Sequence, residues 1–149
     1  MWSCMAEWLQ CERSLQPRQA AEEKGMVNIV IVDNDPDLLD KLTGIFRNMQ
    51  DVNLLGRFEE AVAVVGFVKE NQVDMVFTDI VMPDISGISL AAELHKLEHP
   101  PAVVLMSSIP GFSLEAWKIR AFGFIEKPYT RAQIAEQVQA YQSGRGNLE

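Results

Sequence analysis

Two regimes of apolar and polar positions alternate along the chain. Val27-Asn28-Ile29-Val30-Ile31-Val32 is a β-branched run that reads as a buried strand. Pro36 then stands where a first helical turn permits proline, and Leu38, Leu39, Leu42, Ile45, Phe46 and Met49 follow at helical spacing. Val52 to Phe58 reads as a second strand. Glu59 and Glu60 suit the positive end of a helix dipole, so the second helix is expected from there to about Glu70. Its Ala-Val-Ala-Val-Val centre could also pass for a strand. The pattern continues with a strand over Asp74 to Thr78 and a helix from Ser86 or Gly87 to Leu97. A strand over Pro101 to Met106 and a helix over Phe112 to Ala121 follow. The last pair is a strand over Gly123 to Glu126 and a helix over Thr130 to Tyr141. Five strand–helix units in about 115 residues imply an α/β protein with a parallel sheet covered on both faces.

The two ends of the chain lack this pattern. Residues 1–25 hold Trp2, Trp8, both cysteines (Cys4 and Cys11) and a polar run from Gln16 to Lys24, without a sustained period. They read as a leader outside the domain, disordered or from an over-extended reading frame, although a short amphipathic helix over Met5 to Leu15 is possible. Glu22-Glu23-Lys24-Gly25 has purine-rich codons and precedes Met26 as a translated ribosome-binding site would, so Met26 is the expected natural start. Neither the charge pattern nor the short apolar run fits a signal peptide. Residues 143–149 have a linker composition, and residues 26–142 form the expected domain.

Composition narrows the function classes. Of 149 residues, 48% are hydrophobic and 23% charged, enough for a sizeable core. The longest apolar stretch, Ala61 to Val68, is far too short for a membrane span. With 21 acids against 13 bases, a net charge of −8 and no basic cluster, direct nucleic-acid binding by this chain is not expected. No cysteine follows Met26, which suits a reducing compartment.

In a doubly wound parallel sheet the ligand site lies beyond the carboxyl ends of the strands. Those ends carry Asp33-Asn34-Asp35, Thr78-Asp79, Ser107-Ser108 and Glu126-Lys127-Pro128. Taken singly, each has a plain reading: an Asp after a strand caps a turn or helix, the serines cap the next helix, and Lys127 is a surface lysine. Together they make a cluster of acids, a hydroxyl and one lysine at one sheet edge. Mutually repelling acids call for a divalent cation with oxygen ligands. A lysine and a hydroxyl beside a carboxylate suit a phosphoryl group. No histidine is placed for base catalysis; His95 and His99 read as solvated surface residues.

These motifs resemble the receiver domain of bacterial two-component response regulators over about residues 26–142. The resemblance is carried by Ile29-Val30-Ile31-Val32-Asp33-Asn34-Asp35-Pro36, Phe77 through Gly87 with its Asp79-Ile80-Val81-Met82-Pro83, Val103 through Ser108, and Phe124-Ile125-Glu126-Lys127-Pro128. It implies a flavodoxin-like fold, a doubly wound five-stranded parallel sheet of strand order 2-1-3-4-5. It implies Asp79 as phosphoacceptor, Lys127 as the lysine that balances charge, and Ser107 and Phe124 as the switch hydroxyl and switch aromatic. It also implies Mg²⁺ at Asp33, Asn34, Asp79 and the Val81 carbonyl. A sensor histidine kinase would donate the phosphoryl group in the cytoplasm. Phosphotransfer and dephosphorylation would be self-catalysed, so the domain is not an enzyme in the usual sense. The α4-β5-α5 face, built from the predicted fourth helix, fifth strand and fifth helix, would control an output and could form a homodimer, with Trp117 or Tyr129 near it.

Lys127 follows Ser107 by 20 residues, a short spacing that resembles receivers joined to LytTR-type or related transcriptional output domains. The family usually has a second acid where this chain has Asn34, which would weaken the metal site. Asp35 is expected to cap the first helix rather than replace that acid. The Asn34 departure keeps open a phosphorylation-independent pseudo-receiver, a pure interaction module. A haloacid-dehalogenase-type phosphatase, with Asp33 as nucleophile and Asp35 as acid/base, fits less well. Pro36 is unsuited to that motif, no acidic metal motif follows Lys127, and Asp79 would be left unexplained. An FMN-binding flavodoxin would need a Ser/Thr/Gly-rich phosphate loop after Val32, and none is there.

Overall fold

A computed structural model describes residues 26–109 and 119–144. The expectations for the leader 1–25, Trp117 and most of the predicted helix over Phe112 to Ala121 lie outside these residues. In chain order the elements are β1 (Val27–Val32), α1 (Pro36–Arg47), β2 (Val52–Phe58), α2 (Val62–Glu70) and β3 (Met75–Asp79). Then come α3 (Gly87–His95), β4 (Ala102–Ser107), β5 (Gly123–Glu126) and a last helix, Arg131–Gln142. The strands form one parallel sheet in the order β2-β1-β3-β4-β5, as the family resemblance implies.

Strand β1 sits inside the sheet with β2 and β3 on either side, which is why it is almost continuously apolar. Alternate residues of the inner strands feed two cores. Val30, Val32, Val76, Val103 and Leu105 pack with α2 and α3 residues such as Val64, Val68, Leu90 and Leu94. Ile29, Ile31, Met75, Phe77, Val104 and Met106 pack with Leu39, Leu42 and Phe46 of α1 and Ile134 and Val138 of the last helix. This division follows from the two-residue period of a strand.

Most boundaries agree with the sequence pattern to within a residue or two. Helix α2 differs more, because it starts at Val62 instead of Glu59 or Glu60. Its first residue before the helix, Ala61, has no capping side chain. The cap comes from elsewhere: the Asp84 carboxylate, in the loop after β3, accepts a hydrogen bond from Val62 N at 3.0 Å. Slight burial would raise the Asp84 carboxyl, but the backbone N–H groups of Ile85 and Val62 outweigh it and hold it below its ordinary range. Helix α3 ends two residues early, at His95. At the described end of the predicted fourth helix, Ile119 and Arg120 form a turn and Ala121 is not helical.

Candidate phosphoryl-acceptor site

The carboxyl ends of β1, β3 and β4 meet the start of the loop after β5. Asp33 directly follows β1, Asp79 is the last residue of β3, Ser107 the last of β4, and Lys127 follows β5. Lys127 Nζ lies 2.9 Å from Asp33 Oδ2 and 3.4 Å from Asp79 Oδ2. One ammonium group thus serves two carboxylates. Both acids are buried, Asp33 completely, and the lysine side chain is only 12% exposed. At that depth the pairing is far less screened than a surface salt bridge.

Local structure explains why each group points where it does. The second oxygen of Asp33, Oδ1, accepts from Asp35 N at 3.0 Å, so the turn after β1 locks this carboxylate. Backbone pairing continues past the strand ends. Ile80 N donates to Met106 O at 2.9 Å, and Lys127 N donates to Ser107 O at 2.8 Å. Beyond Asp79 the chain folds back until Gly87 N donates to Ile80 O at 2.8 Å. A β-carbon at Gly87 would collide with the backbone carbonyl of Asp79, so this close return requires glycine.

Burial, more than any other influence, lifts the Asp79 carboxyl above the ordinary Asp range. Neighbouring Lys127 pulls it down, and the negative charge of Asp33 raises it again. Two carboxylates on one ammonium leave a net negative charge at the sheet edge, suited to a further cation.

Asp33 and Asp79 converge on Lys127, and Asp35 does not. Asp35 turns to cap α1, its Oδ1 accepting from Asp37 N at 3.0 Å. Among the described residues no group of three or more His, Cys, Asp or Glu side chains is arranged to hold a metal ion. Asn34 is exposed. Val81 is 51% exposed, in the loop directly after Asp79. Ser107 is buried and its hydroxyl is engaged with its own loop, at 3.0 Å from Ile109 N and 3.2 Å from Ile109 O. Phe124 is half-buried against the core that contains Val103, Leu105 and Ala121. Tyr129, expected near the α4-β5-α5 face, is buried, only 4% exposed.

The family model for the response regulator receiver domain matches residues 29–139. The chain is a response regulator receiver domain. Receiver domains of this family undergo self-catalysed phosphotransfer and dephosphorylation rather than conventional enzyme turnover, and membership supports a capability to bind Mg²⁺. Among solved structures, the receiver domain resembles the response regulatory domain of MrkE from Klebsiella pneumoniae (25% identity, TM-score 0.73). That match covers 79% of this chain and 97% of the other. It also resembles the signal receiver domain of the putative response regulator NarL from Mycobacterium tuberculosis (27% identity, TM-score 0.74), covering 80% and 98%. Over 113 residues it is 26% identical to the transcriptional regulatory protein YpdB of Escherichia coli K12, covering 76% of this chain and 46% of YpdB. Over 124 residues it is 28% identical to BtsR of the same strain, covering 83% and 52%. The receiver domain therefore spans about half the length of these curated relatives. Among the described residues no helix is long and apolar enough to cross a membrane.

The roles of two residues close to the site escaped the sequence reading. Asp84 ties the loop after the phosphoacceptor candidate to α2, and the signal was only a non-local one, since Val62 lies 22 residues away. Tyr129 packs in the core between the sheet, α1 and the last helix, with the Lys41 ammonium 4.6 Å from its ring centroid. Its place directly after Lys127-Pro128 was the one available cue.

Proposed function

We propose that this receiver domain takes a phosphoryl group onto Asp79 from a phosphohistidine of a sensor histidine kinase. The observation that carries the proposal is the sharing of Lys127 between the buried carboxylates of Asp33 and Asp79. An Asp79 carboxylate oxygen forms the new O–P bond as the P–N bond to the donor imidazole breaks. The bonding pair returns to that nitrogen. Lys127 stays beside the new acyl phosphate and balances its charge. The available donors are all oxygens (Asp33, Asp79, the Asn34 amide and the Val81 carbonyl), which fits a hard cation such as Mg²⁺. Bound there, Mg²⁺ would neutralise charge on the phosphoryl oxygens. Asn34 contributes no charge, so the site would be weaker than one with a third carboxylate.

The phosphoryl group brings about −1.5 to −2 charge to the sheet edge. Ser107 would exchange its Ile109 partners for a phosphoryl oxygen, and Phe124 would turn into the space released beneath the helix expected over 112–121. That helix, β5 and the last helix would then form the output and homodimer face. The curated relatives named as transcriptional regulators support an output directed at transcription.

A second reading, an interaction module that works without phosphorylation, is favoured by Asn34 and by the absence of a three-acid group among the described residues. Incubation with a labelled small phosphodonor and Mg²⁺ separates the two. Acid-labile label should appear on the parent protein and vanish from Asp79→Ala and Asp79→Asn. Label that persists on Asp79→Ala refutes the assignment, and a parent that takes up none favours the interaction module.

A further inference from the structure

Among the described helices, α1, α3 and the last helix are each capped by the residue that leads into them. Asp35 accepts from Asp37 N, Ser86 from Ser89 N and Thr130 from Gln133 N. Helix α2 differs. Ala61 offers no side-chain acceptor, and Val62 N donates instead to Asp84 Oδ2, 3.0 Å away and 22 residues further along the chain. The capping group of α2 therefore belongs to the loop that leaves Asp79. A carboxylate there also suits the positive end of the helix dipole.

That loop is held at its base, its floor and its outer side. At the base Ile80 N donates to Met106 O at 2.9 Å, and Ile80 O accepts from Gly87 N at 2.8 Å. On the floor Met82 is buried in the core cluster that also contains Ile80 and, from the start of α2, Ala61 and Val64. On the outer side Asp84 reaches Val62 N. The loop and the first turn of α2 thus share an apolar contact region and a polar tie. Val81, whose carbonyl is one of the oxygens available to a cation, lies between Ile80 and Met82 in this loop. A change in how the loop sits on α2 is therefore a change close to the phosphoacceptor.

We propose that Asp84 is a positioning residue: its bond to Val62 N docks the loop after Asp79 on the first turn of α2 and so holds the Val81 backbone in place for a divalent cation. The proposal rests on the Mg²⁺ reading of the site. Without the bond the loop keeps its base and Met82, so the effect is limited to the worth of one helix cap, about fivefold in an equilibrium constant. Linkage makes the coupling reciprocal. A cation that orders the loop strengthens the cap by the same factor as the cap strengthens cation binding.

The experiment titrates the full chain with Mg²⁺ alone and follows backbone amide resonances by NMR, for the parent, Asp84→Ala, Asp84→Asn and Asp33→Asn. Asparagine caps a helix about as well as aspartate, whereas alanine does not. Asp84→Ala and Asp84→Asn have the same charge, so a difference between them isolates the hydrogen bond. Asp84→Ala should bind Mg²⁺ about fivefold more weakly than Asp84→Asn, which should stay within about twofold of the parent. Mg²⁺ should also move the Val62 amide resonance in the parent and in Asp84→Asn, and leave it in place in Asp84→Ala. Equal Mg²⁺ affinity in Asp84→Ala and Asp84→Asn overturns the proposal. If both match the parent while Asp84→Ala melts lower, Asp84 is a helix cap and nothing more. If both are weakened alike, its charge acts and its bond does not. A parent that binds no Mg²⁺, or Asp33→Asn that binds it as well as the parent, overturns the metal reading and the proposal with it.

Discussion

Both edges of the sheet bury an aspartate, and the two are held in opposite ways. At the amino-terminal edge Asp74 precedes β3 and is 4% exposed. Its Oδ2 accepts from Asn28 N at 2.9 Å and its Oδ1 from the Tyr141 hydroxyl at 3.3 Å. Asn28 is in turn bonded to Gln72 O and Asn53. These two donors are neutral and fixed in the β1 backbone and the last helix. At the carboxyl-terminal edge two carboxylates share one ammonium, and the Asp79 carboxyl is raised by burial and by Asp33. The first arrangement ties β1, β3 and the last helix together. The second leaves charge unbalanced at a place where the chain opens into loops. A buried acid is therefore not in itself a sign of chemistry; what matters is whether its charge is fully answered.

The sharpest way to break this comparison is to remove one partner at each edge. Lys127→Met leaves two carboxylates facing each other in a buried site. It should lower stability by about 3 kcal/mol and abolish phosphoryl uptake. Asp74→Ala removes the acceptor of the Asn28 backbone N–H and of one Tyr141 hydroxyl bond. It should cost about 2–3 kcal/mol while uptake per folded molecule is unchanged. Chemical denaturation together with a labelling assay reads both. Equal loss of uptake in the two variants would mean that the edges are not functionally distinct.

A smaller perturbation acts on the charge balance itself. Asn34→Asp adds a carboxylate at the acidic edge and none at the other. It should tighten Mg²⁺ binding by roughly 1–2 kcal/mol, the scale of one charged contact. An NMR titration of both proteins with Mg²⁺ measures this, and identical affinities would place Asn34 away from the ion.

What could be read from the chain beforehand divides along the same line as local and non-local interactions. The strand–helix alternation was legible because β-branched runs and helical spacing are local signals; β5 lies where the pattern put it, over Gly123–Glu126. The capping role of Asp35 was also legible, since the cap and its target Asp37 N are two residues apart. The late start of α2 was not, because its cap, Asp84, comes from another loop. The Lys127–Asp33 pair spans 94 residues. Only the topology brings the two together, and the strand order came from family resemblance rather than from periodicity. Tyr129 was placed only as near a dimer face, since nothing local distinguishes an aromatic that packs inward from one that faces a partner.

The finest effect is one of pH, measured without Mg²⁺. Folding raises the Asp79 carboxyl above its ordinary value, chiefly by burial and further by Asp33. A raised acid favours its protonated form in the folded protein. Its contribution to stability is fully present below the unfolded value, about 3.9, and is lost as pH rises through the higher folded value. At neutral pH the ionised carboxylate therefore opposes folding. Asp79→Asn keeps the shape and removes the charge, so it should be more stable than the parent at pH 7. The difference should shrink as pH falls through the carboxylate range and vanish below about 3.9. The loss of attraction to Lys127 works against the gain, which keeps it small. Parallel denaturation curves between neutral and acidic pH test this, and a variant less stable than the parent at pH 7 would mean that the Lys127 contact outweighs burial at Asp79.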